Sequence, residues 1–239
     1  VTEIRHYETL DSTNEEARRI AAAGAHGPLW IVAERQSAGR GRRGRAWVSE
    51  PGNLFATYFD EVDAPLDVCA QASLVAGLAV ADVVAGYAPN AEVTLKWPND
   101  VLLEKRKVAG ILLESAPNGG LVRLVVGIGI NLSNHPAGTE FPATSLRTES
   151  DAPTPAEAFV RLAAAWDAWY DAWRSDGFAT IRAAWLARAA GRGEKLAVRL
   201  GDSETIGVFD DMDDSGALLL RLGDGSRLRV TAGEVFFGL

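Results

Sequence analysis

The chain has 239 residues, 47% of them hydrophobic and 23% charged. That balance excludes wholesale disorder and leaves room for one large domain or a large and a small one, with roughly 70 to 75% of the unfolded surface buried on folding. Its 32 acidic and 24 basic residues give a formal net charge of -8, which argues against a nonspecific nucleic-acid binder; its single cysteine, Cys69, excludes an intramolecular disulfide or a cysteine-held zinc and suits a reducing cytoplasm.

The opening segment lacks the cationic-then-apolar pattern of a secretory signal and reads as folded structure, so secretion is not expected. In "DSTNEEARRIAAAG" the cap residues Asp11, Ser12 and Thr13, the glutamates three positions after Ser12 and Thr13, and Gly24 predict a helix from Asn14 to Ala23. "PLWIVAE" (Pro28 to Glu34) reads as a strand. Beyond an arginine-glycine loop, the aromatic and β-branched "AWVSEPGNLFATYF" predicts two strands around an "EPGN" turn, so that the loop joins strand to strand. Composition then predicts a long buried helix from Pro65 to Tyr87. The apolar run Cys69 to Ala88 carries Gln71 and Asp82, which suits a core helix better than a membrane span, and no membrane segment is expected. "VTLKW", "VLLE", "KVAGILLES" and "LVRLVVGIGINLS" read as an antiparallel meander. Phe159, Leu162, Ala163, Trp166, Tyr170 and Trp173 fall at helical spacing, and a further helix is predicted from Phe178 to Ala189. After "AAGRGEK" short strands alternate with polar turns, predicting a small β-barrel beyond a boundary near Gly191.

The loop "AGRGRRGRAW" (Ala38 to Trp47) gathers Arg40, Arg42, Arg43 and Arg45 among Gly39, Gly41 and Gly44. The glycines spell G-x-G-x-x-G, yet a dinucleotide turn needs a helix directly after them, and Ala46-Trp47-Val48 opens a predicted strand instead. A solvated nucleic-acid contact is the second reading, but the other basic residues are dispersed. The third is a lid for a small anion: glycines let the backbone fold over the ligand, and guanidinium groups bind phosphate or carboxylate through charge-assisted pairs. Repulsion among the arginines predicts a loop that stays open until its anion arrives, its charge stabilised only in the liganded state.

Elsewhere, "KWPNDVLL" places Lys96, Asn99 and Asp100 at a strand end, where Pro98-Asn99-Asp100 also makes an ordinary turn. Gly110 falls inside a predicted strand, a position that signals a bulge or close backbone approach. Gly127 and Gly129 of "GIGIN" lie two apart, on one face of a strand, and leave a shallow floor, with Asn131 at its end able to donate and accept toward a purine. His6, His26 and His135 are too dispersed for a zinc site. A flat floor, a basic lid and nearby lysines describe a nucleotide pocket.

Taken together, "DSTN", "ERQSAGRGRRGRAW", "KWPNDVLL", "KVAGILLE", "GIGINL" and "FPATSL", in this order and spacing, resemble the biotin protein ligases over nearly the whole chain. Because the chain starts almost at "DSTN", the resemblance implies a monofunctional ligase without the N-terminal winged helix-turn-helix of the ligase-repressors. It implies an α+β fold: a class II synthetase-like mixed β-sheet flanked by helices (residues 1–190), followed by a small SH3-like β-barrel (residues 191–239). It implies two half-reactions, formation of biotinyl-5′-AMP from biotin and ATP with magnesium, then transfer to a lysine on the biotin carboxyl carrier domain of acetyl-CoA carboxylase or a related carboxylase. Neither nucleic acid nor membrane is an expected partner. Some ligases of this kind pair through their catalytic sheets, so a homodimer is compatible with the resemblance.

By match to the family motifs, Ser12, Thr13, Asn14 and Gln36 would engage the biotin head, alongside a helix-capping role for the same hydroxyls. Arg40, Gly41 and Arg42 would close over biotin and phosphate, and Gly110 would leave room for the ligand. Lys107 would bridge the biotin carboxylate and the α-phosphate, making it with Arg42 the expected catalytic pair. Arg40, Lys96, Asn99 and Asn131 would contact the nucleotide, and Asp100 would help hold magnesium. A lipoate ligase on the same fold and a nucleic-acid module are the rival readings, the first disfavoured by the dense arginine loop and the second by the acidic balance.

Overall fold

The computed structural model describes residues 2–238. A seven-stranded mixed sheet forms its centre, built from β1 (Glu3–Leu10), β2 (Leu29–Gln36), β3 (Leu54–Val62), β4 (Val93–Lys96), β5 (Asp100–Leu103), β6 (Arg106–Asn118) and β7 (Leu121–Ile130). The strand order is β1-β2-β3-β7-β6-β5-β4. β1 and β2 are parallel, joined by the helix α1 (Thr13–Ala22), and every other pair is antiparallel, so the expected meander runs unbroken from β4 to β7.

Alternation along the strands assigns the two faces. Trp30, Val32, Leu54, Ala56, Tyr58, Ile111, Leu124, Val126, Ile128 and Ile130 share one core with the helices α2 (Leu66–Cys69), α3 (Ala72–Tyr87), α5 (Pro155–Asp176) and α6 (Phe178–Leu186); a one-turn α4 (Leu146–Glu149) precedes α5. The intervening residues Leu29, Ile31, Phe59 and Val125 pack under α1, with Ala17 and Ile20. "LWIVA" is therefore apolar throughout because β2 is covered on both faces. The face under α1 is covered at one end only. At the other end β7 carries Gly127 and Gly129, and β6 carries Gly110, Leu112 and Glu114, in register Leu112 to Gly127 and Gly110 to Gly129.

Three elements differ from the sequence expectation. β1 is an additional edge strand whose residues are mostly exposed or half-buried, so its polar composition hides its strand character. The long apolar helix divides into α2 and α3 around Gln71, whose amide accepts from Trp173 and donates to the Asp214 carbonyl. Most of its apolar residues are buried in the core, as expected of a core helix, while Leu66 and Ala85 are exposed. Trp47 to Glu50 form no strand; only Ala46 bridges Arg40, and the chain then turns through Pro51-Gly52 into β3.

A second, antiparallel sheet of order β11-β10-β9-β8-β12 follows, from β8 (Lys195–Leu200), β9 (Ser203–Met212), β10 (Leu218–Arg221), β11 (Arg227–Val230) and β12 (Glu234–Phe236). Its pairing ends at β11 and β12 without closing. Leu196, Val198, Phe209, Met212, Leu218, Leu220 and Val235 join the same buried core as α3 and α6. The SH3-like unit is thus welded to the larger one, with Arg182 donating to the Met212 carbonyl (2.6 Å) and Trp97 Nε1 to that of Gly216 (3.0 Å).

Candidate active site

Where α1 leaves the sheet uncovered, a cleft of about 350 Å³ opens over the glycine floor. Ser12, Thr13, Asn14, Gln36, Arg40, Gly41, Arg42, Lys96, Asn99, Asp100, Lys107, Gly110 and Asn131 all line it. Segments 12–14, 36–42, 96–100, 107–110 and 127–131 therefore meet at one place.

One end of the cleft is a hydrogen-bonded polar network on buried groups. Gln36 Oε1 accepts from the Thr13 backbone N–H (2.8 Å), and Gln36 Nε2 donates to Ser49 Oγ (2.9 Å). Thr57, fully buried on β3, donates to Asn14 Oδ1 (2.7 Å) and lies 2.8 Å from Thr13 Oγ1. Asn14 Nδ2 donates to the Leu112 carbonyl (3.2 Å) and to Glu114 Oε2 (2.9 Å). A Cβ on Gly127 would stand 2.3 Å from Asn14 Oδ1, so glycine is what lets this amide lie on the floor. Ser12 occupies the N-cap position of α1, but its hydroxyl makes no capping hydrogen bond, contrary to the capping expectation, and stays available to the cleft.

The other end is cationic. Lys107 Nζ lies 2.7 Å from Asp100 Oδ1, and Lys96 Nζ lies 3.9 Å from Asp100 Oδ2. Lys96 is only 6% exposed and sits 3.6 Å from the centroid of the Phe141 ring. Burial, reinforced by Lys107 and Arg45 and opposed by Asp100, lowers its pKa to about 8. Trp47 packs on the floor between the two ends: a Cβ on Gly129 would meet its ring at 2.6 Å and one on Gly110 at 3.0 Å. Asn99 Nδ2 donates to the Ile111 carbonyl and Asn131 Nδ2 to that of Thr144, which fixes both amides at the cleft wall.

Three of the loop's four arginines are paired with carboxylates, which corrects the expectation of an uncompensated, repelling loop. Arg40 Nη2 lies 2.5 Å from Glu15 and 3.6 Å from Glu114. Arg43 and Arg45 both pair with Glu234 at the start of β12. Arg42 pairs with no carboxylate among the described residues; it donates to Asn99 Oδ1 (3.1 Å) and the Gly233 carbonyl (3.3 Å), and burial holds its pKa below the ordinary arginine value.

Asp100 faces lysines with both oxygens, and among the described residues no group of three or more His, Cys, Asp or Glu side chains could hold a metal. His6, His26 and His135 lie apart from the cleft lining. Sequence reasoning did not single out Ser49, Thr57, Glu114, Phe141, or the lining residues Gly233 to Phe236 of the second sheet. Thr57 carried one signal: it is a polar residue inside the apolar "LFATYF".

A helix-flanked mixed sheet with a cationic cleft over a glycine floor, joined to a small antiparallel domain, defines a class II synthetase-like ligase fold. The model of the biotin/lipoate A/B protein ligase family matches residues 7–131, and that of the biotin protein ligase C terminal domain matches residues 193–238. The chain belongs to the biotin/lipoate A/B protein ligase family. It is 46% identical to a biotin--[acetyl-CoA-carboxylase] ligase of Paracoccus denitrificans, over 95% of this chain and 98% of that one. A ligase of the same description from Mycobacterium tuberculosis is 37% identical, over 94% of this chain and 85% of its own length. Among solved structures, the biotin protein ligase of Aquifex aeolicus in complex with biotin and ATP superposes with a TM-score of 0.82 at 25% identity, covering 99% of this chain and 98% of that one.

Proposed function

We propose that this chain is an ATP-dependent biotin protein ligase, which activates biotin as biotinyl-5′-AMP and passes it to a lysine of a carboxylase's biotin carboxyl carrier domain. The observation that carries the proposal is the division of one cleft into a neutral hydrogen-bonding end at Thr13, Asn14 and Gln36 and a cationic end at Arg42, Lys96 and Lys107. Biotin has the same division, a ureido ring at one end and a carboxylate at the other, joined by an apolar chain that suits Trp47, Ile111 and Leu112. Lipoate would offer no ureido group to the first end.

Activation requires two anions, carboxylate and α-phosphate, to meet. Lys107 and Arg42 lower that repulsion and stabilise the charge that develops on phosphorus. Asp100 holds Lys107 at 2.7 Å, with its ammonium over Gly110 of the floor. Lys96 supplies a second, partly desolvated phosphate contact, and Asn99 and Asn131 flank the nucleotide. Asp100, which faces Lys96 and Lys107, is the residue that would help hold a magnesium ion arriving with ATP. Such an ion would neutralise phosphate charge.

On this reading residues 1–190 bind both substrates, and residues 191–239 close the cationic end through Gly233 and Glu234. Cytoplasmic ATP and reducing conditions suit a chain whose one cysteine is a buried free thiol. The test is incubation of the chain with biotin, ATP and magnesium and a purified carrier domain. Streptavidin-detected label on the carrier, dependent on all three, supports the proposal; an unlabelled carrier overturns it.

A further inference from the structure

The cationic end accounts for Arg42 and the lysines but leaves without a role Glu114, a carboxylate that lies outside the cleft lining and bonds to Asn14 behind the neutral end. It follows Gly110 and Leu112 on the cleft-facing side of β6 and gathers three partners. Glu114 Oε2 accepts from Asn14 Nδ2 (2.9 Å), while Oε1 lies 3.0 Å from Arg18 Nη2 and 3.6 Å from Arg40 Nη2.

These partners do not depend on Glu114 equally. Arg18 and Arg40 each have Glu15 as a second carboxylate, at 2.9 and 2.5 Å. Asn14 has no such substitute. Its Nδ2 hydrogens go to Glu114 and the Leu112 carbonyl, both acceptors, so turning the amide over would set oxygen against oxygen at both contacts. On the far side Thr57 donates to Oδ1 (2.7 Å), and Gly127 leaves the room for it to lie there. Asn14 is 2% exposed, so a misoriented amide could not recover its hydrogen bonds from bulk water. Its donors are thus spent on the protein, and its carbonyl oxygen, with a second lone pair, is the group offered to the cleft.

Resting on the biotin-ligase reading, we infer that Glu114 is a positioning residue that acts through Asn14: it locks the Asn14 amide so that the cleft presents an acceptor to a ureido N–H.

The test compares Glu114→Met and Glu114→Gln with the unmodified chain, measuring biotin Kd by titration calorimetry, ATP KM, and kcat at saturating biotin. The Met variant removes the acceptor and is expected to weaken biotin about tenfold, the loss that follows one missing hydrogen bond to a charged group. The Gln variant keeps a carbonyl oxygen for Asn14 Nδ2 and recovers most of that affinity. ATP KM and kcat stay unchanged in both. Unaltered biotin affinity in the Met variant overturns the inference, as does equal loss in the Met and Gln variants or a matching rise in ATP KM. Glu114→Ala is read in the same way if the Met variant does not fold. Absence of biotin binding by the unmodified chain would instead overturn the ligase reading.

Discussion

Substituting Gly127 by alanine adds one methyl group at the most crowded point of the floor. The new Cβ would lie 2.3 Å from Asn14 Oδ1, 2.9 Å from its Cγ and 3.1 Å from its Nδ2. Ordinary contact between such atoms begins beyond about 3.3 Å, so Asn14 must retreat by about 1 Å. That retreat strains its bonds to Thr57 and the Leu112 carbonyl, at about 1 kcal/mol each, and to the charged Glu114, at about 1.5 to 3 kcal/mol. Partial relaxation leaves a penalty of about 3 kcal/mol, offset by less than about 1 kcal/mol for removing a strand glycine. The penalty has two outlets. If Asn14 stays, the strain lowers stability by about 2 to 3 kcal/mol net, and Tm falls by roughly 4 to 12 °C for a chain of this size. If Asn14 moves, biotin affinity falls on the order of a hundredfold. Thermal unfolding and calorimetric biotin titration on the same preparation measure both. A variant with unchanged Tm and unchanged affinity would refute the close-packed floor.

Lys107→Ala should leave the fold intact and lower the adenylation rate by about 10² to 10³, the scale for losing one preorganised charge contact; a single-turnover rate equal to that of the unmodified chain would contradict its role. Lys96, lowered by burial to about 8, should lose its charge as pH rises through that value, so ATP KM should climb above about pH 8 and Lys96→Met should abolish the climb. The same titration fixes a stability slope. Between about pH 8 and the ordinary lysine value of 10.5 the unfolded chain holds a proton that the folded chain has released, so this group adds stability as pH rises across that window and nothing below it. Chemical denaturation of the unmodified chain and Lys96→Met across the window reads the difference. Glu234→Ala frees Arg43 and Arg45, and trypsin should then cut the 37–45 loop faster in the unliganded chain; equal cleavage rates would show that Glu234 does not hold it.

Much of this site was legible because it lies in short contiguous motifs. Gly127 and Gly129 share a strand face by simple alternation, and their absent side chains already described a floor. Gly110 inside a strand pointed to close approach, and the Trp47 ring now occupies that space. The loop arginines were legible as charges but not as ion pairs, because Glu114 and Glu234 come from distant strands and no local rule links them. Glu15 hid differently. It read as a helix N-terminal residue, as it is, while its carboxylate also faces the loop. β1 was missed because an edge strand with half-exposed residues shows little apolar alternation. The stretch after Ala46 misled in the opposite direction: its aromatic and β-branched residues have strand propensity, but Trp47 is drawn onto the glycine floor, and that tertiary contact overrides the local preference.

The most direct measurement is exchange of labelled pyrophosphate into ATP by the purified chain with magnesium, run with biotin, with lipoate and with neither. Exchange that requires biotin is the predicted result. Exchange driven by lipoate, or none with either acid, would contradict the assignment of the cleft.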